Sequence, residues 1–177
     1  LAPMSGITDQ PFRRIVRLLG GGLVVSEMVA SHAILNSIKK EIRKLKFSAK
    51  EEAPFSIQLA GWEPAIMAEA AKIAEQLGAS IIDINLGCPA KKVTGRYSGS
   101  ALMQTPNLTA EICSAVVNAT SVPVTLKMRL GWDELNKNAP EIGLLAEEAG
   151  IKMLVVHGRT RNQMFKGKAD WKEIRKT

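Results

Sequence analysis

The stretch Ile81-Ile82-Asp83-Ile84-Asn85-Leu86-Gly87-Cys88-Pro89-Ala90-Lys91-Lys92-Val93 is a strand that breaks into a tight loop. In an extended chain alternate residues share a face, so Ile82, Ile84 and Leu86 lie on one side and Asp83 and Asn85 on the other. Gly87 and Pro89 end the strand and leave a thiol in the turn, followed by two lysines. Upstream, residues 63–77 form an Ala-rich helical stretch with Pro64 at its start and Gly78 behind its end. Before that, residues 55–59 again read as strand. Strand, helix, strand is the unit that builds a parallel sheet.

The same alternation runs outward in both directions. Residues 1–4 are a short apolar start and 23–28 a second strand. Asp9 caps a helix through residue 19, with Pro11 in its first turn and Gly20-Gly21-Gly22 stopping it. Residues 34–45 read as a basic helix. Further on come a helix over 107–118, a strand over 122–128, a helix over 141–149 closed by Gly150, a strand over 152–157 and a helix opening at Asp170. Two parallel architectures compete, an open doubly wound sheet and a (β/α)₈ barrel. No G-x-G-x-x-G follows the first strand, which removes the usual dinucleotide fingerprint. Each unit takes about 30 residues, and eight such units give the ~250 of a typical barrel. The expectation is therefore an α/β fold, a partial (β/α)₈ TIM barrel of about six strand–helix units. Residues 1–177 would form the N-terminal part of that barrel domain. A start without Met, inside an apolar segment, agrees with a piece of something longer.

The 177 residues suffice for one domain with a real core. They are 46% hydrophobic and 23% charged, as in an ordinary globular protein, and no apolar run approaches the ~20 residues of a membrane helix. Two cysteines, Cys88 and Cys113, make no disulfide framework, so a reducing cytoplasm is expected. The net charge of +7 suits a polyanionic partner such as nucleic acid. Two histidines without acid–histidine spacing speak against a metal site.

Polar residues recur toward the C-terminal ends of the strands: Glu27, Gln58, Asp83 with Asn85, Lys127 with Arg129, and His157. In a barrel these ends carry the active site. One reading is an internal ion-pair network of Glu27, Asp83, Lys127 and Arg129. The other is chemical. Lys127 and Arg129 would stabilise an anionic ring or oxyanion, Gln58 and Asn85 both donate and accept as an imide edge requires, and His157 would bind a phosphate or ring oxygen. Cys113 sits in a helical EICSAVV and reads as a small buried hydrophobe. Cys88 lies on a loop facing the expected cavity, where a thiol serves as nucleophile or proton donor, and a protonated thiol at neutral pH suits a general acid.

The segments LAPMSGITDQPFR, IQLAG, DINLGCPAKKV with GSALM, VTLKMRLGWD and HGRTRNQMFKGKADW together resemble the tRNA-dihydrouridine synthases, most closely the bacterial B-type, in order along essentially the whole chain. The resemblance implies a TIM barrel binding FMN at its C-terminal mouth, ahead of a helical domain. It implies that Cys88 matches the proton donor. Pro3, Met4 and Ser5 match the segment along the flavin. Gln58, Lys127 and His157 match flavin contacts, and Asn85 and Arg129 match positions near the substrate base. The implied reaction reduces uridine in tRNA to 5,6-dihydrouridine with NAD(P)H, NADPH by default, as reductant. Hydride reaches carbon 6 from the flavin and Cys88 protonates carbon 5, with the base drawn out of its stack. Phosphate contacts are expected from residues 158–168 and from Lys91 and Lys92, whereas IKKEIRKLK (residues 38–46) reads as a solvated helix face. Two other readings remain: a flavin dehydrogenase of a free pyrimidine, and a non-catalytic RNA-binding fragment. No membrane and no metal are expected.

Overall fold

The computed structural model describes residues 1–36 and 43–177. Its strands are β1 (Val24–Val25), β2 (Val29–Ala30), β3 (Phe55–Ala60), β4 (Ile81–Leu86), β5 (Val124–Arg129) and β6 (Met153–His157). Helices α1 (Gln10–Leu18), α2 (Ser31–Leu35), α3 (Ala49–Glu52), α4 (Pro64–Gln76), α5 (Lys91–Thr94), α6 (Pro106–Ala119), α7 (Ala139–Glu148) and α8 (Trp171–Lys176) alternate with them. The sheet is parallel and follows chain order, β1-β3-β4-β5-β6, with β2 also pairing β3. No switch point reverses that order, as a doubly wound sheet would require. The strands curl into a half-barrel, a partial (β/α) barrel with its helices outside.

Local chemistry fixes the helix ends. Asp9 accepts from the Phe12 amide at 3.1 Å, and Asp170 accepts from the Lys172 and Glu173 amides at 3.0 and 3.1 Å. Pro stands in the first turn of α1, α4, α6 and α7, where its missing N–H has no helical partner to lose. Gly78 leaves α4 at φ +97°, a conformation that favours glycine.

The expected strand over residues 1–4 is not formed. Met4 instead closes a turn, its carbonyl accepting from Ile7 and Thr8 at 3.0 Å. The expected strand over 23–28 is divided into β1 and β2 at Ser26, whose amide still donates to the Ser56 carbonyl at 2.8 Å while its hydroxyl donates to the Glu27 carbonyl and receives the Gln58 amide. Of the expected basic helix, residues 37–42 lie outside the described residues.

The core lies between sheet and helices. Ile57, Leu59, Ile82, Ile84, Leu86, Leu126 and Met128 pack against Met67, Ala70, Ala71 and Ala74 of α4, Ile112, Cys113 and Val116 of α6, and Ile142 of α7. Burying each large side chain stabilises the fold by roughly 1.5–3 kcal/mol. The opposite face of the same strands carries Ser56, Gln58, Asp83, Asn85, Thr125 and Arg129, all buried although polar. Burying such groups is costly without partners, and of these six only the Ser56 hydroxyl lacks one.

Candidate functional site

The strand register lines up these polar residues in rungs. Gln58 stands opposite Asp83 and Asp83 opposite Thr125, while Asn85 stands opposite Lys127, and Arg129 opposite His157. Side chains in register on one face reach each other. Gln58 Nε2 donates to Asp83 Oδ2 at 2.6 Å, and Thr125 Oγ1 donates to Asp83 Oδ1 at 2.5 Å. Asn85 Nδ2 donates to Gln58 Oε1 at 2.7 Å, and Asn85 Oδ1 accepts from the Gly87 and Cys88 amides at 3.2 and 3.0 Å.

Two expectations change here. Asn85 does not present both donor and acceptor, because its oxygen already accepts two bonds. It offers one remaining N–H, as does Gln58 Nε2. Nor do the four charged residues form an ion-pair network. Glu27 accepts from the Gly6 amide at 2.6 Å and so pins the first segment. Arg129 Nε donates to the Gly87 carbonyl at 2.8 Å, and its Nη1 donates to the Thr160 and Met164 carbonyls at 2.9 Å. The guanidinium thereby clamps the Cys88 loop to the loop after β6, with its Nη2 hydrogens left over.

A cavity of about 560 Å³ opens at the C-terminal ends of the strands. Gln58, Asn85, Cys88, Lys127, Arg129 and His157 line it, and Pro3, Met4 and Ser5 form part of its wall. The nine site residues expected from the sequence and the resemblance therefore border one space, which Glu27 and Asp83 do not line. Met28, Met164 and Phe165 complete the apolar wall. Sequence reasoning passed over these three. Met164 and Phe165 lie within HGRTRNQMFKGKADW, but no periodicity marks a loop residue as cavity-facing, and Met164 reaches its place at φ +53°.

Burial pushes the Asp83 carboxyl up to about 6, against the hydrogen bonds of Thr125 and Gln58 and the charge of Lys127. Burial also pulls the Lys127 ammonium below its ordinary value, with Asp83 opposing the fall and Arg129 adding to it. Burial and then the charges of Arg129, Lys127 and Arg159 push His157 down to about 4, so its ring is neutral at pH 7. Arg159 Nη1 lies 3.3 Å from His157 Nε2. Guanidinium only donates, so Nε2 accepts and Nδ1 carries the proton.

The Cys88 loop is held on both sides. The Cys88 carbonyl accepts from the Ser100 amide at 3.1 Å and from its hydroxyl at 2.9 Å. Gly99 sits at φ +62°, and a Cβ there would come within 2.8 Å of that same carbonyl oxygen. The GS of GSALM therefore lets the two loops approach. Cys88 is half-buried. Cys113 is fully buried on α6, its thiol pushed up to about 12 by burial. Of the basic residues in 158–168, Arg161 stacks on Trp132 at 4.5 Å, and Lys166 and Lys168 are exposed, as are Lys91 and Lys92. Among the described residues no three His, Cys, Asp or Glu gather to hold a metal ion, and no helix is long and apolar enough to cross a membrane.

The carboxyl transferase domain of Rhizobium etli pyruvate carboxylase superposes with a TM-score of 0.56 at 17% identity, over 82% of this chain and 23% of that one, a likeness of fold alone. The sequence is more telling. It is 58% identical over 174 residues to a probable tRNA-dihydrouridine synthase of Rhodobacter capsulatus, covering 98% of this chain and 54% of that protein. It is 54% identical to a probable tRNA-dihydrouridine synthase of Rickettsia conorii, covering 99% of this chain and 53% of that protein. Identity to tRNA-dihydrouridine synthase B of Pseudomonas aeruginosa is 53%, over 98% of this chain and 52% of that protein. The chain thus spans about half the length of the curated relatives it matches. The model for dihydrouridine synthase (Dus) matches residues 1–177, and the chain belongs to the dihydrouridine synthase family.

Proposed function

We propose that residues 1–177 supply the N-terminal, catalytic part of an FMN-binding barrel that reduces uridine in tRNA to 5,6-dihydrouridine, with NADPH as reductant, in the cytoplasm. The observation that carries this reading is the meeting of a half-buried thiol, a cation and two fixed N–H donors around one cavity. The donor set fits a flavin. Gln58 Nε2, Asn85 Nδ2, the Lys127 ammonium and His157 Nδ1–H present donors to a space walled by Pro3, Met4, Met28 and Phe165. A flat ring with carbonyl and ring-nitrogen acceptors on its edge suits such a site. Pro3, Met4 and Ser5 would lie along the ring, and Gln58, Lys127 and His157 would hold its edge. When bound, FMN would supply the hydride that joins carbon 6 of the uracil ring once NADPH has reduced the cofactor.

The chain's residues do the rest. Lys127 places positive charge beside the acceptor edge, where burial strengthens its effect. Asn85 and the Nη2 hydrogens of Arg129 orient the uracil carbonyls. Cys88 gives its proton to carbon 5, where charge builds as carbon 6 gains hydride. Lys91, Lys92, Lys166 and Lys168 flank this mouth and suit phosphate contacts. The test is NADPH oxidation by the purified full-length flavoprotein with unmodified tRNA, scoring dihydrouridine in the product. Oxidation that responds to a free pyrimidine and ignores tRNA would overturn this reading in favour of a pyrimidine dehydrogenase.

A further inference from the structure

The carboxylate of Asp83 is almost completely buried and touches neither the cavity nor the Cys88 loop directly. Its partners nevertheless run in one line to that loop. An ionised carboxylate only accepts, so Gln58 turns its NH₂ toward Asp83. Gln58 Oε1 is thereby turned toward Asn85, which answers with Nδ2. Asn85 Oδ1 is left facing the Gly87 and Cys88 amides. Reversing any one amide reverses the next. It would set the N–H donors of Asn85 against those of the loop, leaving buried donors unpaired. Gln58, Asp83 and Thr125 sit on one rung of the sheet, so the fold itself keeps this line in register.

We propose that Asp83 is a positioning residue: its acceptor sets the sense of the Gln58 and Asn85 amides, and through Asn85 fixes the backbone that carries the Cys88 thiol. The inference deepens the proposed function, on which it rests for the work of the thiol. The Arg129 and Ser100 contacts hold the loop's carbonyls, and the Asp83 line holds its amides.

Backbone amide exchange at Gly87 and Cys88 in the full chain reads this directly and requires neither flavin nor tRNA. Asp83→Leu keeps the branched outline but is bulkier and loses the acceptor, and Asp83→Ala guards against misfolding by the larger side chain. Both should speed exchange at these amides about tenfold, with Ile82 and Ile84 unchanged as a check on β4. Asp83→Asn should leave exchange as it is. Its carbonyl still accepts from Gln58, and the Thr125 hydroxyl rotates to accept from its NH₂. In the same proteins the rate of uridine reduction should fall for Leu and Ala and be restored by Asn, with KM for tRNA unaltered. If Leu and Asn behave alike, or if Gly87 and Cys88 stay protected in folded Asp83→Ala, the positioning role is wrong. Exchange that follows the expected pattern in a protein with no activity on tRNA supports the positioning role and removes the functional reading instead.

Discussion

Cys88 lies in the four-residue loop between β4 and α5, half-buried in the wall of the cavity. Its loop is tied by Asn85, Ser100 and Arg129, whose contacts end on the backbone of Gly87 and Cys88 and leave the side chain beside the cavity. This separation of support from chemistry predicts a selective variant. In the full-length protein Cys88→Ala should slow uridine reduction by roughly 10²–10⁴-fold, the range of general acid catalysis. It should leave flavin binding and NADPH oxidation close to wild type. Stopped-flow reoxidation of the flavin by tRNA measures the difference, and a wild-type rate would make Cys88 structural.

At the scale of elements, the partial barrel needs its N-terminal helix tied down, because α1 exposes Phe12, Ile15 and Leu18 and has little apolar grip. A buried ion pair does this. Arg13 Nε meets Glu52 Oε2 of α3 at 2.7 Å, with the two side chains 1% and 0% exposed. Glu52 also accepts from Gln10 and the Ser48 amide, and Arg13 donates to the Thr8 and Lys46 carbonyls. Removing one member strands a buried charge, so Glu52→Ala should cost about 3–5 kcal/mol in urea unfolding. Replacing both, Arg13→Met with Glu52→Leu, should cost clearly less than Glu52→Ala alone. A double variant at least as unstable as the single one would show that the bonds to backbone, and not the stranded charge, set the cost.

For the whole molecule, two titrating groups, the buried Asp83 and the cavity-lining His157, pull stability in opposite directions. Asp83 has its folded value raised to about 6, so the native state binds more protons than the unfolded chain between roughly pH 4 and 6. Its contribution therefore strengthens as pH falls through that window, by an amount on the order of 3 kcal/mol. His157 is lowered to about 4, so the unfolded chain binds the extra proton, and its contribution weakens as pH falls from about 6.5 toward 4. The stability of wild type minus that of Asp83→Asn should thus grow on acidification from pH 6 to 4. Wild type minus His157→Gln should shrink over pH 6.5 to 4. Thermal or urea unfolding at several pH values checks both signs, and a shared sign would mean that one of the two environments is misread.

Much of this was legible along the chain, for a physical reason. Strand period, Pro and Gly punctuation and the unit length are local properties, and they were enough for a parallel barrel-type sheet with Gln58, Asn85, Lys127, Arg129 and His157 at one end. Caps such as Asp9 and Asp170 are equally local. The rest depended on contacts between residues far apart in sequence. The strand over 23–28 is divided at Ser26, whose hydroxyl bonds across to Gln58, and the first segment is drawn into a turn pinned by Glu27 rather than into the sheet. The amide senses of Gln58 and Asn85 are set only once β3, β4 and β5 lie in register. So are the tautomer of His157 and the engagement of Arg129 with three carbonyls. Periodicity tells which face a side chain takes, but a hydrogen bond needs a partner within about 3 Å, and only the folded sheet brings residues such as Gln58 and Asp83 that close.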